Sequence, residues 1–384
     1  MVMLMGQAFL FTILAPIGRE IGLVEYEIGM IMSVHGFFML FSGPMWGGIS
    51  ESWGRRKVIV LGSLCYATSI FFFGLVVRLS LDGVVSGAVI VILLVASRAV
   101  FAIGAGAVTP GALAMAADLS TPQTRLRAIS ILTAATSTGA IIGPVAAVFA
   151  GLGLVVPFYI IASLGLLGVI VAGLILPESS PRDRRLGGAY LSLLKGPALI
   201  ITLAAICFMS GLYGAFSVIG FHVQDRFGLD TVGSARLMGM GLMAAAATNV
   251  FTQGVLIRRI KASPKVLVLL GAPLTILSLV VIWAGGAPAI FIMGMIINGF
   301  GQGFCLPALS TALSLTAGPE SQGKIAGLST FAQAMAFFVA PMSGAALYQL
   351  VPSAPFMVGS ILIMGSLVLM GLLRIQGAHS SRGN

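Results

Sequence analysis

Long apolar runs alternate with short polar breaks along all 384 residues of the chain. The runs cover about 1–18, 28–50, 57–78, 86–117, 125–151, 155–177, 197–223, 233–257, 265–285, 288–315, 324–349 and 356–374. Each approaches or exceeds the roughly 20 residues with which an α-helix crosses a hydrocarbon core. The pattern predicts an all-α membrane protein of twelve transmembrane helices. The longest break, PESSPRDRRLGGAYLSLLKGP, is rich in Pro, Gly and charge, as a linker is. It divides the chain into a six-helix half over 1–177, a cytoplasmic linker over 178–196, a second six-helix half over 197–374 and a tail over 375–384. The first run lacks a basic leader and a small-residue cleavage site, so a retained helix is expected there.

The two halves carry a repeat. At a shift of 197, Gly104 and Gly106 fall on Gly301 and Gly303, Pro110 on Pro307, Pro122 on Pro319, Arg127 on Lys324 and Pro144 on Pro341. Agreement of this kind within about 40 residues points to a duplicated six-helix unit with pseudo-symmetric halves. Such repeats place a substrate site near the bilayer midplane, between halves that rock to give alternating access.

Composition closes off other classes. With 58% hydrophobic residues and 8% charged ones, the chain carries more apolar surface than a soluble domain of this length buries. Fifty glycines, costly in soluble helices, fit close backbone approach in a membrane bundle. A net charge of +10 raises the question of nucleic acid, and the positions of the cations answer it. Sixteen lie in alternate loops and the tail, at Arg55, Arg56, Lys57, Arg125, Arg127, Arg182, Arg184, Arg185, Lys195, Arg258, Arg259, Lys261, Lys265, Lys324, Arg374 and Arg382. The intervening loops hold four, Arg19, Arg78, Arg226 and Arg236, and Arg98 alone lies within a run. This is the positive-inside bias, which puts both termini in the cytoplasm and implies lipid rather than nucleic acid as the partner. Cys65, Cys207 and Cys305 lie in apolar runs, so neither a disulfide framework nor metal ligation is expected.

Charge gathers in WGGISESWGRRK, between the second and third runs, with Trp46 and Trp53 at the expected depth of an aromatic belt. Glu51 precedes the third helix and suits its positive dipole end, whereas Asp118 closes the fourth helix, where the dipole disfavours a carboxylate. An Arg55 or Arg56 clamp to Asp118, made compact by Gly47 and Gly54, is the expected latch, holding one conformation and releasing in another.

These residues resemble the major facilitator superfamily over essentially the whole chain. Gly47, Ile49, Glu51, Gly54, Arg55 and Arg56 resemble its signature GxLxDRxGRR, with Glu51 in place of Asp and Ser52 in place of Arg. SRAVFAIGAG is similar to the fourth-helix signature of drug/proton antiporters, which implies a role for Arg98 in proton movement. GAIIGP, with Gly139, Gly143 and Pro144, resembles the fifth-helix antiporter signature, although alanines follow the proline where glycines are usual. The resemblance implies a secondary transporter of the inner (plasma) membrane, with helices one, four, seven and ten lining the cavity. Gln7, Arg98, Tyr213, Asn298 and Gln302 are then the candidate cavity groups.

Arg98 is a functional candidate by default because an intramembrane charge is costly; the alternative is a structural arginine satisfied by backbone carbonyls. No Asp or Glu lies in mid-run, and Gln7 stands where many exporters have an acid. Proton-coupling candidates are therefore Arg98, His35, His222 and Asp225, each histidine being equally open to a structural reading. The leading expectation is proton-coupled export of amphipathic small molecules, drugs or siderophore-like natural products, by a monomer without cofactor or metal. A facilitator or proton symporter for a polar metabolite stands second, favoured by the scarcity of buried carboxylates. A non-transporting receptor on the same fold stands third. No nucleophile motif, metal-ligand spacing or phosphate-binding loop supports an enzyme.

Overall fold

A computed structural model describes residues 1–121, 124–178, 193–260, 262–318 and 321–373, apart from scattered side chains. Most of the expected linker, the tail from 374 onward, Pro122, Pro319, Arg182, Arg184, Arg185 and Lys261 lie outside the described residues. Twelve long helices are described: α1 (Val2–Glu20), α2 (Glu25–Trp53), α3 (Arg55–Leu81), α4 (Ala88–Asp118), α5 (Arg125–Ile142), α6 (Val156–Ile175), α7 (Gly196–Phe227), α8 (Thr231–Ile260), α9 (Pro264–Ala284), α10 (Pro288–Ser314), α11 (Gln322–Leu350) and α12 (Ala354–Leu372). Eleven helical segments are long and apolar enough to cross a membrane, and α2, with 29 residues, packs among them.

Helix starts follow local chemistry. Proline occupies the first turn of α6, α7, α9, α10 and α12, where its missing N–H removes nothing from the helical ladder. Asp230 caps α8 by accepting from the Gly233 amide at 2.8 Å. Helices α2 and α3 run closer together than the hydrophobic pattern implies, because Gly54 alone joins them. Its φ of 93° is a backbone conformation open to glycine, and it reverses the chain in one residue. Two expected straight runs are interrupted. After Ile142, α5 tightens into a 3-10 helix over Gly143–Leu152, where Pro144 offers no N–H and crowds the preceding turn. Helix α8 carries a π-turn at Thr252–Leu256.

The repeat is visible in the helix crossings. Gly62 of α3 meets Gly104 of α4 so closely that a Cβ on Gly104 would lie 2.6 Å from the Gly62 carbonyl, and Gly271 of α9 meets Gly301 of α10 in the same way, at 2.7 Å from the Gly301 carbonyl. Gly106 packs on Ser42 of α2, and Gly303 on Thr252 of α8. Arg56 donates to the carbonyl of Gly173 on α6, and Lys265 donates to that of Gly371 on α12 at 2.7 Å. Phe9, Phe73 and Phe158 knit α1, α3 and α6 through an edge contact at 4.9 Å and a stacked one at 5.5 Å. Leu174, Ile175, Ile361 and Leu372 are exposed on α6 and α12, the face an apolar solvent would cover. Trp46 departs from the belt expectation. It is buried, with its indole N–H donating to the Ile103 carbonyl at 2.7 Å, whereas Trp53 is exposed.

The halves meet at the end of the bundle that holds Arg19. Gly220 of α7 sits against Ala15 and Pro16 of α1, and Gly29 of α2 against Pro341 and Ala345 of α11. The Met342 amide donates to Ser33 at 2.9 Å, and the Pro144 carbonyl abuts Gly239 of α8. Toward the end that holds Arg55 and Asp118, the halves are separated by a cavity whose walls reach the exposed residues Thr109 and Thr330.

Candidate functional site between the halves

The cavity has two lobes sharing Leu4, Gln7 and Tyr213. One, about 370 Å³, lies between α2, α4 and α11 and is walled by His35, Met39, Phe101, Gln333 and Phe337. The other, about 340 Å³, lies between α5, α8 and α10 and is walled by Phe11, Pro144, Phe216, Asn249, Gln302 and Leu306. Volumes of this size suit drug-sized ligands, as do mainly apolar walls with a few polar groups. Tyr213 stacks on Phe337 with ring centroids 4.1 Å apart, closing one wall across α7 and α11.

Arg98 stands one side-chain layer behind the first lobe. It is 3% exposed, donates to the Gln7 side-chain carbonyl at 3.2 Å and lies over the Phe101 ring at 4.4 Å. Among the described residues, its Nε and Nη1 have no hydrogen-bond partner and no carboxylate forms an ion pair with it. Its repeat mate, Met295, is fully buried in apolar packing. On the other side of the Phe101 wall, His35 approaches Phe101 at 5.2 Å and Phe337 at 5.7 Å, and its Nδ1 likewise has no partner among the described residues. The structure thus brings Gln7, His35, Arg98 and Tyr213 to one lobe. Gln302 reaches the second lobe and donates to Asn298, whereas Asn298 itself is fully buried and donates to Ser278 of α9 at 2.8 Å.

His222 and Asp225 lie elsewhere, at the Arg19 end. A cavity of about 510 Å³ there is lined by both, with Arg226, Trp283 and Tyr348. His222 Nε2 is 3.2 Å from the Ile282 carbonyl. Asp225 is held by Arg19 at 2.6 Å and by the Tyr348 hydroxyl at 2.7 Å, while the same Arg19 donates to Glu25 at 2.6 Å. Thr231 of α8 donates to Glu20 of α1 at 2.5 Å, and Gln349 of α11 donates to Glu25 at 3.3 Å. The Arg19–Asp225, Thr231–Glu20 and Gln349–Glu25 contacts cross between halves.

At the opposite end, Arg55 donates to Ser50 at 2.8 Å and pairs with Asp118 at 3.4 Å, joining the α2–α3 turn to the end of α4. Arg56 turns instead to Glu178 beyond α6, at 3.3 Å. The backbone of α2 passes through Gly47 and Glu51, but the Glu51 side chain lies outside the described residues. On α5 and the 3-10 helix that continues it, Gly139 and Gly143 press on the backbone carbonyls of Met1 and Met5, and Pro144 lines the second lobe.

The sequence profile described as Major Facilitator Superfamily matches residues 1–341. The chain belongs to the major facilitator superfamily. As a member it is a multi-pass membrane transporter, not an enzyme. Similar superfamily proteins include Multidrug resistance protein 2 of Bacillus subtilis (strain 168), 25% identical over 374 residues, covering 94% of this chain and 89% of that protein. Multidrug resistance protein 1 of the same strain is 27% identical over 368 residues, covering 94% and 90%. Quinolone resistance protein NorA of Staphylococcus aureus is 21% identical over 360 residues, covering 91% and 88%. Among solved structures, a mutant form of the nucleoside transporter NupG superposes with a TM-score of 0.74 at 14% identity, covering 96% of this chain and 95% of that one. The human organic anion transporter MFSD10 does so with 0.69 at 21% identity, covering 96% of each. These likenesses show the superfamily fold.

Sequence reasoning missed three features of this superfamily member. Glu178 was hidden because it follows the apolar run of α6 as an ordinary loop acid. Phe101 and Phe337 were two aromatics among 23 phenylalanines, with no period to single them out as cavity wall. The Arg19, Glu25 and Asp225 cluster joins residues 206 apart in the chain, which no local pattern reports.

Proposed function

We propose that this protein is a drug-type exporter of the inner (plasma) membrane, acting as a monomer to move amphipathic small molecules outward in exchange for protons. The observation that carries the reading is the two-lobed cavity shared by both halves, with aromatic and aliphatic walls and few amides. The names of the relatives, two multidrug resistance proteins and a quinolone resistance protein, support the same direction. Gly139, Gly143 and Pro144, seated between α1, the second lobe and α8, support an antiporter-like α5. Arg98 and His35 are the proposed coupling pair, since both are buried and incompletely hydrogen-bonded beside the first lobe. Arg55 and Asp118, with Gly47, Glu51, Gly54 and Arg56, form the proposed cytoplasmic latch. Siderophore-like products belong among the substrates to be tested.

With the positive-inside bias setting orientation, the closed Arg19 end faces outward and the cavity opens to the cytoplasm, the state in which an exporter loads. The deciding experiment follows lumenal pH in proteoliposomes under an imposed gradient while drugs, siderophores, sugars and organic acids are added in turn. Substrate-triggered proton movement opposite to the substrate, absent in Arg98→Ala, is expected. Substrate flux without any pH response would remove proton coupling and leave a facilitator. Absence of any flux would favour a receptor.

A further inference from the structure

Building on the exporter reading, we propose that the first lobe receives the anionic head of its substrate, so that amphipathic anions are preferred over cations. The charge inventory of the cavity carries this. Among the described residues no Asp or Glu lines either lobe. The carboxylates with described side chains lie at helix ends and in loops, as Asp118 and Glu178 do at one end and Glu25 and Asp225 at the other. Among the described residues, the guanidinium that stands beside the lobe is that of Arg98.

No described carboxylate pairs with that charge, and it is separated from the lobe only by Gln7 and Phe101. Because Arg98 is buried behind the wall, its field toward the lobe is screened less than that of a surface charge. An anion there gains attraction and an organic cation meets repulsion. Aromatic walls often favour cations, but here two of the rings beside the first lobe already carry a partner on one face. Arg98 itself covers Phe101, and Tyr213 stacks on Phe337. The Gln7 carbonyl accepts from Arg98 Nη2 at 3.2 Å and is the movable shield: turning it away frees that donor, beside the unpartnered Nε and Nη1, for an incoming carboxylate. The second lobe, with Phe11, Phe216 and Leu306, takes the apolar body.

The sign of the cargo sets the energetics. Outward movement of an anion and inward movement of a proton both carry positive charge inward, so an inside-negative potential drives both. One charge moved across 100 mV changes an accumulation ratio by about fifty-fold. Cation-for-proton exchange would be electrically silent.

The test uses purified protein in proteoliposomes and a panel of matched pairs, each sharing one aromatic body and differing in a carboxylate or a trimethylammonium head. The anionic members are expected to show at least about ten-fold higher kcat/KM, with efflux that rises with inside-negative potential. Gln7→Glu, which supplies Arg98 with a carboxylate, is expected to abolish or invert the preference, and Gln7→Met to leave its sign unchanged. Equal or better transport of the cationic members by the unmodified protein would overturn the anion preference and leave export standing. Transport of no member of either kind would overturn both. Since the unmodified protein alone decides the preference, misfolding of either variant does not remove the test.

Discussion

Replacing Arg98 by methionine, the residue its repeat mate already carries, would take a charge with no described ion-pair partner out of the helix bundle. Buried charges are often no better than apolar residues of similar volume, so Arg98→Met is expected to keep or raise Tm in detergent. Its transport is expected to fall at least about ten-fold, which corresponds to about 1.4 kcal/mol of lost transition-state binding. A marked drop in Tm with residual transport would assign the residue to structure instead. Arg98 was legible from sequence because a charge inside an apolar run stands out. Its setting was not: that the guanidinium meets Gln7 and Phe101, rather than carbonyls of a neighbouring helix, depends on how α1 and α4 come together. Asn298 illustrates the same limit. An amide on α10 reads as a cavity group, yet helical rotation directs it to Ser278 on the far side.

Helix α5 shows how an element is shaped by its neighbour. A Cβ on Gly143 would lie 2.9 Å from the Ala8 Cβ and closer still to the Met5 carbonyl. In the second half the corresponding Ala340 is accommodated because its partner on α7 is Gly214. The relief has moved from one helix to the other. Gly143→Val is therefore expected to destabilise by about 1–3 kcal/mol through overpacking, lowering Tm and flux together. Gly168→Ala on α6, where an added Cβ meets nothing within 4 Å, is the control and should stay within about 0.5 kcal/mol. Equal losses in both would show that the α1 contact does not decide. Helix number and approximate spans were readable from run length alone. The break at Gly143 and the single-residue turn at Gly54 were not, because hydropathy does not register φ, ψ or ladder pairing.

For the whole molecule, the closed end depends on a small set of polar contacts laid over tight glycine packing. Asp225→Asn removes the charge that binds Arg19 across the halves while keeping the acceptor for Tyr348. Spin labels at the exposed positions Val24 and Val351, one on each half, are expected to report longer separations in this variant. An unchanged distance distribution would leave closure to the Gly29, Gly36 and Gly220 contacts. The division into pseudo-symmetric halves was legible from the recurrence of Gly and Pro at one shift. The end at which the halves touch was not, since both ends offer charged loops.

Arg19 has two carboxylates, and only one belongs to the opposite half. When the halves part, Glu25 stays with the guanidinium and Tyr348 stays with Asp225, so neither side is stranded in a dry setting. The door therefore swings on an exchange of partners at a partly wetted edge, where dissolved ions compete on equal terms. Brackish surroundings would loosen it and dilute ones would tighten it, making the saltiness of the medium a throttle on the tempo of transport.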